Sequence, residues 1–310
     1  MNAPRHASGA ATARAVGRRH VVGIATTGRR EILTETIREL SRLRPAPTRI
    51  VVCPASPADL DEPAALAIFP ALQVVRAGRG LPRQRNAILD ACEGDHLITF
   101  IDDDFFPATD FLAQIERLFA EDPRRNGVTG HVIADGANTP GLSVAAARRC
   151  LRDDTRPPVE EILEPYGAYG CNMSFRIAAL RRQRLRFDER LPLYGWWEDI
   201  DFSRRACPQR GSLVRSHWVR GVHLGAKSGR ASGLRLGYSQ IANILYLIDK
   251  GSVPRGTALR IMWRNVLSNH LRALRPEPWI DRRGRVRGNW LALWDALRGR
   301  AQPERILELP

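Results

Sequence analysis

Short apolar strands alternate with helices through the first third of this chain, and this alternation limits the possible folds more than any other feature. Strand-like apolar segments occur at residues 20–25, 50–53, 72–75 and 96–101, separated by turns and by stretches with helical spacing of apolar residues. Such an order is typical of a doubly wound, mostly parallel sheet covered by helices. The pattern therefore predicts an α/β fold, with ligands bound in the loops beyond the carboxyl ends of the strands.

Composition supports a globular protein with a substantial core. The chain has 310 residues, of which 44% are hydrophobic and 26% are charged. No apolar run is long enough to span a bilayer, and the first twenty residues lack the apolar block of a secretory signal. The five cysteines show no zinc or redox spacing, which favours buried thiols in a reducing compartment. We therefore expect a cytoplasmic protein.

The formal net charge of +15 is concentrated at the two ends of the chain. Residues 1–20 contribute +4 and residues 251–310 contribute +7. We expect a disordered basic arm over 1–19, a near-neutral domain over 20–230 and a helical C-terminal extension over 231–310. The charge leaves a nucleic-acid-binding protein as an alternative, although the sequence shows no helix-turn-helix, zinc finger or aromatic RNA platform.

Three consecutive carboxylates, Asp102, Asp103 and Asp104, end the fourth strand-like segment. A divalent cation would relieve their mutual repulsion, and their hard oxygen ligands suit Mg²⁺ or Mn²⁺. In an extended chain Asp102 and Asp104 point to the same side, whereas Asp103 points away. The alternative is an acidic turn that caps the following helix.

A second acidic pair, Glu198 and Asp199, directly follows Trp196 and Trp197. An apolar wall raises the pKa of a neighbouring carboxylate and makes it a better general base near neutrality. The alternative is the first turn of a helix, where the macrodipole favours acidic residues.

The order of these motifs resembles glycosyltransferase family 2, whose members are inverting, nucleotide-sugar-dependent enzymes with the GT-A fold. The resemblance covers about residues 20–225. It is carried, in the family's order, by residues 26–29, 80–86, 102–104, 170–176 and 198–199. It implies a Rossmann-like sheet flanked by helices, with a nucleotide-sugar half at about 20–105 and an acceptor half at about 106–230.

The resemblance also implies a role for each matching residue. Asp104 and Asp102 would hold Mn²⁺ or Mg²⁺ on the donor diphosphate, and His223 would complete the metal site. Asp199 would take the proton of the acceptor hydroxyl, with Glu198 as the alternative base. The residues implied in nucleotide-sugar binding are Thr26, Thr27, Arg29, Asp59, Arg85, Asn86, Asp102 and Asp103. Those implied on the acceptor side are Asn172, Met173, Trp196 and Trp197.

One position departs from the family pattern. Many members end the second strand with an aspartate that recognises the nucleobase, whereas this chain has Cys53 there and Asp59 in the same loop. The resemblance implies a UDP-sugar donor, with the identity of the base left open.

The motifs and this resemblance together predict a metal-dependent inverting glycosyltransferase with a carbohydrate or lipid-linked acceptor and no nucleic-acid partner. The resemblance alone implies a role in exopolysaccharide or cell-surface glycan synthesis. A nucleotidyltransferase of related fold is the alternative, but the first loop lacks the lysine that such an enzyme would use.

Two stretches of the C-terminal extension, residues 257–274 and 288–298, combine arginines with apolar residues at helical spacing. A basic helix that carries tryptophan can lie on an anionic leaflet, which would make the protein peripheral to the inner face of the membrane. The alternative is that the apolar residues pack on the catalytic domain or on a second subunit.

Overall fold

The structure, a computed structural model, describes residues 19–310. The arm expected over 1–19 therefore lies outside the described residues, except for its last position. The strands are β1 (His20–Thr26), β2 (Arg49–Pro54), β3 (Leu72–Val74), β4 (Leu97–Asp102), β5 (Phe105–Pro107), β6 (Gly127–Asp135), β7 (Ile162–Leu163), β8 (Asn172–Arg176) and β9 (Leu213–His223). The helices are α1 (Arg30–Ser41), α2 (Glu62–Ile68), α3 (Leu81–Asp90), α4 (Phe111–Glu121), α5 (Val144–Asp153), α6 (Ile177–Arg182), α7 (Glu198–Ala206), α8 (Gly233–Asp249), α9 (Arg255–Ala273) and α10 (Arg282–Leu297).

These strands form one sheet in the order β3-β2-β1-β4-β8-β6-β9-β5, with β7 paired to β9. The strands β1 to β4 are mutually parallel, and β6 is parallel to β9. The antiparallel strand β8 lies between β4 and β6 and sets Asn172 opposite Ile101. The predicted α/β, mostly parallel sheet is confirmed. The division into halves at residue 105 stays a prediction, since a single sheet runs through both.

Both faces of the central strands are buried, which explains their continuous apolar runs. Val22 and Ile24 face a cluster completed by helices α1 and α4. Val21 and Phe100 face the opposite cluster, to which α3, α6 and α7 contribute. The carboxyl ends of β1 and β4 are thereby fixed side by side, with Ala25 paired to Asp102.

Helices α8, α9 and α10 form a third cluster with a core of their own. Close backbone contact between α8 and α10 depends on glycine: a Cβ on Gly237 would lie 2.1 Å from the carbonyl oxygen of Arg285, and one on Gly288 would lie 2.1 Å from that of Leu234. No helix within residues 19–310 combines the length and apolarity needed to cross a membrane.

We expect Gly288→Ala to lower the melting temperature, because its methyl group would push the backbones of α8 and α10 apart. The matched control is Gly256→Ala on α9, where a Cβ meets nothing within 4 Å. That change should stabilise the helix by up to about 1 kcal/mol. Circular dichroism during heating measures the melting temperatures of both variants. Equal melting temperatures would contradict the close contact between α8 and α10.

Candidate active site

Asp102, Asp104 and His223 meet where strands β4 and β9 end. One candidate ligand atom from each lies within 4.8 Å of the others. Nε2 of His223 lies 3.3 Å from Oδ1 of Asp104 and 3.8 Å from Oδ2 of Asp102. Oδ1 of Asp104 is buried and accepts no hydrogen bond within the described chain. Two carboxylate oxygens and one imidazole nitrogen suit Mn²⁺ or Mg²⁺, so the residues present fit a divalent cation.

Asp135, at the end of β6, supports this cluster from behind. Nδ1 of His223 donates to Oδ1 of Asp135 at 2.9 Å, and the hydroxyl of Tyr169 donates to the other oxygen at 2.8 Å. A carboxylate in this position orients an imidazole ligand. Burial opposes the charged form of the ring, but Asp104 and Asp135 raise the pKa of His223 to about 10. Sequence reasoning missed Asp135, although an acid at the carboxyl end of a strand was an available signal.

Asp103 turns away from the cluster and pairs with the first loop. Its carboxylate accepts from Oγ1 of Thr26 at 2.7 Å and from Nη1 of Arg29 at 2.8 Å. Arg29 also donates to the carbonyl oxygens of Ala226 and Ser228, at 3.1 and 2.8 Å. These bonds hold the loop after β9 against the loop after β1.

Two other predicted donor-side residues, Thr27 after β1 and Asp59 after β2, lie in neighbouring loops. A Cβ on Gly229 would lie 2.2 Å from the carbonyl oxygen of Thr27, so the two loops touch at this point. The carboxylate of Asp59 accepts from the amides of Gly28 at 2.7 Å and Ser56 at 2.9 Å. Asp59 therefore connects the ends of β1 and β2.

Arg85 on α3 is a buried cation at the centre of the site, with 1% of its surface exposed. Its guanidinium pairs with Glu198 and donates to the carbonyl oxygen of Gly170 at 2.8 Å and to Oδ1 of Asp102 at 3.3 Å. Arg85 therefore connects Asp102, a residue of the candidate metal site, to the first turn of α7.

The neighbouring Asn86 is bound to a different segment. Its side-chain amide exchanges hydrogen bonds with the backbone of Phe187, at 2.9 and 3.0 Å, and donates to Glu189 at 2.8 Å. The polar groups of Asn86 thus hold residues 187–189 against α3.

The adjacent carboxylates of α7 occupy different environments. Glu198 is buried and paired with Arg85, whereas Asp199 is half-buried and accepts from the amides of Gly170 at 2.9 Å and Ile200 at 2.8 Å. Burial raises the pKa of both carboxyls, and Arg85 acts in the opposite direction. Asp199 is therefore the more accessible proton acceptor of the two.

Backbone strain marks the start of this helix. Trp197 precedes α7 with a φ of 71°, in the left-handed region that bulky residues rarely adopt. Such conformations persist where the surroundings enforce them, and they cluster at functional sites. The strain at Trp197 thus coincides with the turn that presents Glu198 and Asp199.

The predicted acceptor-side residues divide into two groups. The amide oxygen of Asn172 accepts from the Gly130 amide at 2.5 Å and from the Thr129 hydroxyl at 3.1 Å, and Met173 is fully buried, so both hold β8 beside β6. Trp196 is half-buried, and its indole N–H has no hydrogen-bond partner within residues 19–310.

The sequence matches the profile of glycosyl transferase family 2 over residues 21–182, which is more than half of the chain. The chain belongs to this family and is a glycosyltransferase. No curated protein matches it significantly.

Solved structures with similar folds share low sequence identity with this chain. Residues 1–349 of S. aureus TarS share 14% identity and a TM-score of 0.56, covering 93% of this chain and 82% of that one. The mannosyltransferase PcManGT from Pyrobaculum calidifontis, in complex with GDP-Man and Mn²⁺, shares 16% identity and a TM-score of 0.54, covering 94% and 86%. The chain spans 40% of a longer TarS structure. The GT-A fold predicted from the sequence is thereby confirmed.

We expect Arg85→Met to destabilise the protein strongly, because it leaves Glu198 and Asp102 without their buried counter-charge. Removing one member of a buried ion pair typically costs about 3–5 kcal/mol. The matched control is Arg83→Met on the same helix. Arg83 is exposed, and its Nε lies 3.5 Å from Oε2 of Glu189, which is also exposed, so this ion pair is weak. That change should cost less than about 1 kcal/mol. An equal loss of unfolding free energy in the two variants, measured by urea unfolding, would show that the buried ion pairs of Arg85 stabilise the protein no more than an exposed pair.

Proposed function

We propose that this glycosyltransferase moves a sugar, with inversion and with a divalent cation, from a nucleoside-diphosphate sugar to an acceptor hydroxyl. One observation carries the proposal: Arg85 bonds both to Asp102 of the metal cluster and to the carbonyl of Gly170, whose amide binds Asp199. Arg85 and the backbone of Gly170 therefore connect the candidate cation site directly to the candidate general base.

On the donor side, Asp102, Asp104 and His223 would hold the cation. Bound there, Mn²⁺ or Mg²⁺ would neutralise the charge that develops on the leaving diphosphate. Support comes from Mn²⁺ in the structures of GalNAc-T7 and PcManGT. The nucleotide would lie against the first loop, where Arg29 supplies a cation close to Asp103 and Asp104.

On the acceptor side, Asp199 would act as the general base. The amide of Gly170 fixes one carboxylate oxygen, and burial raises the pKa of the carboxyl, which strengthens it as a proton acceptor. As the acceptor oxygen bonds to the anomeric carbon, its proton passes to Asp199. The bond from that carbon to the phosphate oxygen breaks on the opposite face, which inverts the configuration. Glu198 is less suited because it is buried against Arg85.

The nucleobase of the donor and the class of acceptor are proposed from resemblance to other glycosyltransferases. TarS is known in complex with UDP-GlcNAc and PcManGT with GDP-Man, so a UDP-sugar is proposed with a GDP-sugar as the competing donor. A carbohydrate or lipid-linked acceptor in exopolysaccharide or cell-surface glycan synthesis, on the cytoplasmic side, accords with the family. Family membership favours this function over a nucleotidyltransferase.

Asp104→Ala should abolish cation-dependent donor binding, because Asp104 supplies the buried carboxylate of the cluster. A ligand at a hundred times its Kd stabilises the folded state by about 2.7 kcal/mol, so thermal shifts with UDP and GDP, each with and without Mn²⁺, report binding without any acceptor. Asp153→Ala, which removes an exposed aspartate on α5, is the control and should keep the shift. A Mn²⁺-dependent shift that survives in the Asp104 variant would exclude this site.

Asp199→Asn should retain donor binding and lose turnover, because the amide keeps the shape of the side chain but cannot accept the proton. Loss of a general base typically lowers kcat by about 10²–10⁴-fold. Release of nucleoside diphosphate measures turnover, and the thermal shift measures donor binding. Turnover that persists in this variant would transfer the role to Glu198 or to another group.

A further inference from the structure

Seven large apolar side chains on and just after helices α9 and α10 remain uncovered within the described chain. They are Trp263, Leu267, Leu271 and Leu274 on and just after α9, and Trp290, Trp294 and Leu297 on α10, each between 51% and 84% exposed. We call this set the apolar ridge. Single exposed apolar residues are ordinary, but a continuous group of this size marks an interaction surface.

The ridge forms one row of side chains at helical spacing on each of the two helices. On α9 the buried residues Ala258, Met262 and Val266 recur along one side, and the ridge residues recur along the opposite side. His270 of α9 packs edge-on against Trp290 of α10, with ring centroids 5.8 Å apart. The apolar residues of α9 are thus divided between the core and the surface.

Exposed arginines follow the ridge along both helices. They are Arg260, Arg264 and Arg275 beside the α9 part and Arg283, Arg287 and Arg298 beside the α10 part. None of these six forms an ion pair with a carboxylate of the described chain, and the carboxylate of Glu277 is paired with Arg272 and Arg282. Arg298 lies over the ring of Trp294 at 4.1 Å. The apolar surface therefore has a positively charged border whose arginines are not paired with carboxylates of the described chain.

We propose that the apolar ridge docks on an anionic lipid bilayer. Leucine side chains would enter the acyl region, the tryptophans would lie at the level of the headgroups, and the arginines would bind lipid phosphates. A second copy of this chain is a poorer partner, because a two-fold interface through the ridge would bring both sets of arginines together. This surface does not depend on the proposed catalytic function.

Docking there would hold the candidate active site in a fixed relation to the lipid surface. Trp279, between α9 and α10, donates its indole N–H to the carbonyl of Asn138 at 3.3 Å. Asn243 of α8 donates to the carbonyl of Trp196 at 2.9 Å, within the predicted acceptor side. These are two of the hydrogen bonds that join the extension directly to the catalytic domain, together with those from Lys250 to Asp188 and Asp201.

Flotation of the full chain with lipid vesicles tests the proposal. Vesicles of phosphatidylcholine with about 30% phosphatidylglycerol should bind the protein, and vesicles of phosphatidylcholine alone should bind it far more weakly. Raising the salt from about 0.1 M to about 0.5 M should weaken binding without abolishing it, because screening leaves the apolar contribution intact.

Two surface variants separate the contributions, and both replace exposed side chains and so should leave the fold intact. Arg283→Gln with Arg287→Gln should weaken binding roughly 30-fold, at about 1 kcal/mol per arginine. Trp294→Ser with Leu297→Ser should weaken it by at least about tenfold and remove the salt-resistant part. The control, Arg149→Gln with Arg152→Gln, removes two exposed arginines of α5 that likewise form no ion pair within residues 19–310, and should bind like the parent chain.

Three results would overturn the proposal. If the control variant loses as much vesicle binding as Arg283→Gln with Arg287→Gln, the protein adsorbs through its net charge alone. Full binding after Trp294→Ser with Leu297→Ser would show that the ridge does not enter the bilayer. A dimer in light scattering that the ridge variants convert to monomer, without binding of the parent chain to anionic vesicles, would assign the ridge to a second copy of the chain.

Discussion

A single buried cation connects the parts of the candidate active site. The guanidinium of Arg85 contacts Glu198, Asp102 and the carbonyl oxygen of Gly170, which belong to α7, β4 and the turn before β8. Burying a guanidinium is costly unless its donors are paired, so the folded state must hold all three segments in place. The separation between Asp102 of the candidate metal site and the candidate base is therefore set by the folded core and not by the ligand.

Much of the fold was predictable because its signals are local. Buried parallel strands produce continuous apolar runs, and the carboxyl end of β4 falls directly on Asp102. The alternation of side chains predicted that Asp103 would diverge from its neighbours, and it pairs with Arg29. The clustering of Asp102 and Asp104 with His223 was expected only from the order of family motifs, since nothing local relates β4 to β9.

The unpredicted features depend on contacts between distant segments. Asp135 contributes to the site only because β9 places Nδ1 of His223 2.9 Å from its Oδ1 atom. The bonds of Asn86 to Phe187 and of Arg29 to the loop after β9 likewise join segments far apart in sequence. The extension illustrates a further limit: an amphipathic pattern identifies a helix with an apolar side, but it does not show how much of that side the rest of the protein covers.

The insertion of β8 between β4 and β6 has a consequence for the order of assembly during synthesis. Strands β1 to β4 pair with one another, and all of them leave the ribosome before β8 or β9. Domains generally begin to fold from the part made first, and contacts between distant segments form more slowly. The edge of β4 must therefore wait for β8, and the carboxylates of Asp102 and Asp104 wait for the imidazole of His223. A nascent chain released early would carry strands β1 to β4 with an open sheet edge and only part of the candidate metal site, and an open edge favours aggregation.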